Sequence, residues 1–244
     1  MQRSAPRPSR SRTRTRLRML ACAAVPVMIV AAGCSSDSDD AAKDTNKPSA
    51  SASKSAPKLA PAKFSSLPAD PCKAVARKTI EDLVPKAKDK SGSSGKSSDI
   101  STRGSCSWNG LDDNGVKGSQ YRWLDVSFMR YDSDEGIGSG QDRAADYYKK
   151  EVAKARATEG AKGAKATPTP GVGTEATAVT YSLTKTGESF GYATVVTRSE
   201  NVVITLTYNG AGYAGAKSPA ASDLVKGATK ATKEAVAAVP GAAG

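Results

Sequence analysis

Histidine is absent from all 244 residues. With it go the Ser-His and Cys-His nucleophile pairs and every imidazole metal site. Aromatic residues make up only 5% of the chain, so a core must lean on Val, Ile, Leu and Ala. Cysteine is scarce, at four residues. No stretch reaches the roughly 20 apolar residues that a spanning helix needs. The run from Met19 to Val30 is about twelve residues, the length of a signal-peptide h-region. Acidic residues are missing before Cys34, while seven arginines stand there, from Arg3 to Arg18.

That asymmetry explains the formal charge of +12. Taking those seven from 36 Lys and Arg leaves 29 against 24 acids, a net of about +5. A charge of that size serves solubility and argues against a nucleic-acid partner. The arginines are never adjacent, so general secretion is expected rather than twin-arginine export. Ala31-Ala32-Gly33-Cys34 resembles the bacterial lipobox, with Ala31 where Leu is usual. This resemblance implies cleavage before Cys34, a diacylglycerol on its thiol, and a membrane partner through that anchor on the outer face of the cytoplasmic membrane. The plainer alternative is a secretory signal with an incidental cysteine.

Three segments follow. Residues 1–33 are a leader to be removed. Residues 34–63 are rich in Ser, Ala, Lys, Asp and Pro. They cannot bury enough apolar surface to offset chain entropy, which predicts a flexible spacer of about 30 Å r.m.s.. Residues 64–244 are long enough for one domain.

Within the domain, Asp70-Pro71 opens a helix, with Cys72, Val75, Ala76, Thr79 and Leu83 on one stripe. Gly104 to Gly110 reads as a short strand with Cys106 and Trp108 facing the core. Tyr121 to Tyr131 is the clearest strand: Leu124, Val126 and Phe128 share one side, Asp125 and Ser127 the other. Ser139 to Asp142 resembles a capping box before a helix to about Ala157. Residues 158–173 read as a loop. Strands over about 176–183, 189–197 and 202–209 form a meander with turns at Thr186-Gly187 and Ser199-Glu200-Asn201. An Ala-rich helix with the stripe Leu224, Ala228, Ala231 and Ala235 ends the chain. The order α-β-β-α-β-β-β-α predicts an α+β fold: an antiparallel sheet of about five strands with helices on one face.

Cys72 and Cys106 remain as a pair in an oxidising compartment, where a disulfide is the default. Trp108 would pack against the sulfurs. A redox or metal pair is the alternative, without C-x-x-C spacing or histidine to support it. Together, Asp70-Pro71-Cys72 at a helix start, Cys106-Ser107-Trp108 after a loop, the lipobox and the polar spacer resemble an actinobacterial lipoprotein family, domain of unknown function 3558. The resemblance implies a lipid-anchored extracytoplasmic protein with a paired disulfide. It implies no reaction and no catalytic residue.

Other motifs read as ordinary surface. Asp112-Asp113-Asn114 and Asp132 to Glu135 lack EF-hand spacing, so no metal is expected. Ser93-x-x-Lys96 and Lys185-Thr186-Gly187 match short signatures of penicillin-binding enzymes, but no S-D-N element accompanies them. The glycines from Gly136 to Gly140 lack a P-loop lysine. No cofactor is implied. The strand face opposite the core carries Tyr121, Trp123, Met129 and Tyr131. It is either covered by a helix or loop, or open as a binding face for a protein or small ligand. Tyr192, Tyr208 and Tyr213 would extend it. A non-enzymatic binding lipoprotein is the leading expectation. The alternatives are an envelope hydrolase pairing Asp125 with Asp132 or Glu135, and an accessory subunit of a surface complex.

Overall fold

β3 (Ser119–Arg130) and β7 (Val202–Tyr213) pair antiparallel along their whole length at the middle of one sheet. Their alternation of apolar and polar side chains supplies two faces with different fates. The computed structural model describes residues 59–241. On one side of the central pair lie β2 (Arg103–Asp112) and β1 (Ser93–Ser94). On the other lie β6 (Glu188–Ser199), β5 (Glu175–Lys185) and β4 (Lys162–Pro168). The order is β1-β2-β3-β7-β6-β5-β4, with every neighbouring pair antiparallel. The described residues belong to one compact unit, Ser53–Gly244. The leader and Cys34 lie outside the described residues.

One face carries Trp108, Leu124, Val126, Phe128, Ile204 and Leu206, all buried. Helix α3 (Ala221–Ala237) covers it through Leu224, Ala228, Ala231 and Ala235, the stripe expected from its spacing. The opposite face is apolar at one end, where Val196 and Val203 pack under α2 (Gly140–Arg156) through Ala144 and Tyr148. Ser139 caps α2 by accepting from the Asp142 N–H at 3.0 Å.

The architecture corrects three expectations. The sheet has seven strands rather than about five, helices cover both faces rather than one, and the element order gains a strand near each edge. β1 is two residues long, too short to leave a periodic trace. β4 is an exposed edge strand carrying Lys162 and Lys165, with a register shift between them. Lysines and bulges suit an edge that must not recruit further strands, and they erase the alternation that would mark it. An amphipathic stripe shows that a helix has a buried side; it does not select which face of the sheet receives it.

The first predicted helix is also divided. Asp70 caps a 3-10 turn, Pro71–Lys73, by accepting from the Cys72 N–H at 3.0 Å. The chain then leaves helical geometry and restarts as α1 (Arg77–Leu83), whose N-cap Ala76 offers no side-chain acceptor. Glu234 on α3 supplies one from across the fold. Its carboxylate accepts from Ala76 N–H at 2.9 Å and from the Thr79 hydroxyl at 2.6 Å. Cys72 is bonded to Cys106 on β2, which ties the 3-10 turn to the sheet. A Cβ on Gly92 would lie 2.5 Å from Cys106 Sγ and 2.6 Å from Trp108 Nε1. Sulfur and indole therefore meet beneath that glycine.

The start of the domain is held by buried polar groups. Asn201 donates to the carbonyls of Phe64 at 2.9 Å and Tyr131 at 2.8 Å, and accepts from the Phe64 N–H at 2.8 Å. Buried Arg130 reaches the Ser101 carbonyl at 3.1 Å and pairs with Asp132.

Candidate binding groove

Antiparallel register aligns the face shared with α2 into rows running across β2, β3, β7, β6 and β5. The row nearest α2 holds Arg103, Met129, Val203, Arg198 and Glu175. A row of Ser105, Ser127, Thr205, Val196 and Thr177 follows, then Ser107, Asp125, Thr207 and Thr194. Beyond these lies Asn109, Trp123, Asn209, Tyr192 and Tyr181. The face thus passes from a mixed apolar and charged row, through hydroxyl-rich ones, to an aromatic one.

At the aromatic end is an open groove of about 400 Å³. Tyr121, Trp123, Phe190, Tyr192 and Tyr213 line it, with Lys185, Thr186 and Asn209. The rings buttress each other. Phe190 meets Tyr121 and Tyr213 edge to face, at 6.0 and 6.3 Å between centroids. Tyr181 stacks on Tyr192 at 4.9 Å, and Lys185 Nζ sits 5.3 Å above the Tyr192 ring. Such contacts hold ring positions before any ligand arrives. Trp123 keeps 38% of its surface exposed, unlike buried Trp108. Burial, then the nearby hydroxyls of Tyr213 and Tyr192, raises the Tyr121 phenol above its ordinary value, so three phenols converge here.

Asn209 is the unexpected member. It is only 7% exposed and lines the groove, where its side-chain amide still reaches solvent. A polar group of a ligand seated in the groove would take the place of that solvent. Asp125, one row away, is part-buried, and desolvation pushes its carboxyl up to about 6.

The four residues predicted to share this face do so, but not as one patch. Tyr121 and Trp123 line the groove. Met129 borders a polar recess of about 540 Å³ with Arg103, Ser105, Ser127 and Tyr147. Tyr131 packs against Tyr147 at 5.7 Å and beneath the Arg143 guanidinium at 5.2 Å. Trp123 and Tyr131 stand about 25 Å apart along the strand. Tyr192 and Tyr213 extend the groove as expected, whereas Tyr208 points to the other face and donates to the Leu83 carbonyl at 2.6 Å. Its parity with Val202, Ile204 and Leu206 already placed it there. Phe190, Tyr181 and Asn209 escaped sequence reasoning. The turn at Thr186-Gly187 was their signal, because a two-residue turn sets Tyr181 opposite Tyr192 and Leu183 opposite Phe190.

The carboxylates of the hydrolase alternative do not meet. Asp132 lies beyond the end of β3, on the order of 20 Å from Asp125 by strand rise. Glycosidase pairs stand roughly 5–10 Å apart. Among the described residues no group of three or more Asp, Glu or Cys is placed to hold a metal ion, and no helix is long and apolar enough to cross a membrane.

No protein-family model matches the chain, and no curated protein does. Among solved structures, the crystal structure of LpqN, described as involved in cell envelope biogenesis of Mycobacterium tuberculosis, is similar over 53% of this chain and 68% of that one, at 15% identity and a TM-score of 0.31.

Proposed function

We propose that this chain is a non-enzymatic binding protein of the cell envelope, anchored by a lipid on Cys34, with its ligand site in the aromatic groove around Trp123. The observation that carries the reading is the groove itself: five aromatic rings, Trp123 exposed among them, with the Asn209 side chain at their edge. Preformed concave sites with a few placed polar groups are where ligands bind. The lipobox resemblance and the spacer supply the anchor and its reach, and the pairing of Cys72 with Cys106 suits an oxidising compartment. The resemblance to domain of unknown function 3558 belongs to the same reading.

Two measurements test it. Palmitate labelling of the whole protein in its host is expected to disappear in Cys34→Ala; labelling that persists would remove the anchor. Cell-envelope fractions are expected to shield Trp123 from acrylamide, with the effect lost in Trp123→Phe. Turnover of envelope polymers by the purified chain, alongside unshielded Trp123, would reverse the assignment to an enzyme.

A further inference from the structure

Independently of the groove, we infer that the polar recess at the other end of the same face binds a phosphate ester, its phosphate held by Lys96, Ser98, Arg103 and Ser105 and its organic part lying on Met129 and Val203. The register builds the floor. Arg103, Met129 and Val203 are successive partners in one row, and Ser105 and Ser127 are partners in the next. Tyr147 of α2 forms one wall. The other wall is the loop that follows β1. Gly95 lies so close over Ser105 that a Cβ there would stand 2.0 Å from the hydroxyl, and its N–H donates to the Ser105 carbonyl at 3.0 Å. This close crossing carries Lys96 to Asp99 over the start of β2 and encloses about 540 Å³.

The lining selects an anion. Neither Lys96 nor Arg103 stands within ion-pair distance of a carboxylate among the described residues. Asp99 is the acid of the lining, and its charge is already engaged. It accepts from the Ser101 hydroxyl at 2.7 Å, from the N–H groups of Ser101 and Thr102 at 3.2 and 3.3 Å, and from the Thr102 hydroxyl. The Ser101 hydroxyl, then that of Thr102, hold its carboxyl down to about 2. Glu151, beside Tyr147, pairs with Lys154 at 3.3 Å. Ser97 and Ser127 donate their hydroxyls to backbone carbonyls. Ser98 and Ser105 are bonded to no described residue through their hydroxyls, which remain open to solvent. Two cations and two hydroxyl donors therefore converge on one hollow. A tetrahedral phosphate presents three oxygens to such a set, and a guanidinium takes two of them in a fork. A carboxylate has two oxygens in one plane and reaches fewer of the donors. A divalent cation finds no free carboxylate among the lining residues. The rim is tied to the end of the domain where the spacer enters, because buried Arg130 donates to the Ser101 carbonyl at 3.1 Å and to the Phe64 carbonyl at 3.4 Å. At that end a soluble phosphate ester and a phosphate headgroup of the membrane are both sources, and they share this chemistry.

Calorimetric titration of the full chain in a non-ionic detergent tests the site. The probes are inorganic phosphate, glycerol 3-phosphate and dihexanoyl phosphatidic acid, with glycerol and citrate as neutral and carboxylate controls. At least one of the two esters is expected to bind saturably below about 10 mM and to weaken with added salt. Arg103→Gln and Lys96→Gln should each weaken that binding about tenfold or more, whereas Lys165→Gln, which removes the same charge from the β4 edge, should leave it unchanged. All three side chains are exposed, so the variants should keep their far-ultraviolet dichroism. Binding of glycerol 3-phosphate without the phosphatidic acid assigns a soluble source, and the reverse assigns the lipid headgroup. Trp123 lies about 20 Å from Met129 along β3, so its quenching by acrylamide should not change; a change would move the ligand to the groove and overturn the recess. Inorganic phosphate binding as tightly as either ester overturns the organic part. Equal loss in all three variants, citrate binding as tightly as the esters, or silence from every phosphate probe overturns the site, and each of these leaves the groove around Trp123 standing.

Discussion

Asp125 shows how one part-buried side chain can oppose folding. Its carboxyl is pushed up to about 6 by desolvation, so between pH 4 and 6 the native state holds a proton that the unfolded chain has released. Stability therefore falls as pH rises through that window. Asp125→Asn is expected to gain about 1–3 kcal/mol over the native chain above pH 7 and nothing below pH 4, read from urea denaturation at both ends. Asn201 works in the other direction. Its side chain satisfies both backbone groups of Phe64 and the carbonyl of Tyr131. Asn201→Ala leaves them buried and unpaired, at a cost of about 2–4 kcal/mol, and should expose the chain near Phe64 to proteolysis. Nothing local marks Asn201 as more than a turn residue, because its partners lie 137 and 70 positions away.

Elements were legible where one side of them is buried. β3, β7 and α3 announce their inner faces by period, and the buried residues agree. α2 shows the limit of that method: helical spacing reads its stripe as Ala145, Tyr148, Val152 and Ala155, while Ala144 is the alanine packed against the sheet beside Tyr148. α1 shows another limit, since its start is capped by Glu234 from α3 rather than by a neighbour in sequence. Glu234→Ala should cost about 1–2 kcal/mol in thermal or urea unfolding, the usual value of a lost cap. The turn of the β5–β6 hairpin places both Thr186 and Gly187 at positive φ, 50° and 85°. Threonine is strained there, so Thr186→Asn should stabilise the protein by about 0.5–1 kcal/mol, seen as a raised melting temperature.

The whole molecule is joined by contacts between distant segments. The bond from Cys72 to Cys106 spans 34 positions and anchors the turn before α1 to the sheet. In the chain-entropy model a loop of that length is worth about 4 kcal/mol. The double variant Cys72→Ser with Cys106→Ser should lose on that order in reversible denaturation. Trp108 lies beside the bond and should report the change as red-shifted emission, while Trp123 stays as it was. On this scale too, α3 and α2 take opposite faces of the sheet and leave the aromatic end of one face uncovered by either helix.

The sequence by itself determined the local and compositional features: seven arginines and no acid ahead of Cys34, a polar stretch after it, the inner faces of the main strands, and the absence of any histidine chemistry. These depend on residue type and short-range period, which the chain carries wherever it folds. The tertiary structure decided what depends on distant segments meeting. It added the edge strands β1 and β4, set α2 across the sheet from α3, and capped α1 from α3. It also divided the predicted face of Tyr121, Trp123, Met129 and Tyr131 into a groove at one end and a helix-covered end at the other. Period two tells which side of a strand a residue faces; only the register of five strands and the placing of α2 tell which residues share a site.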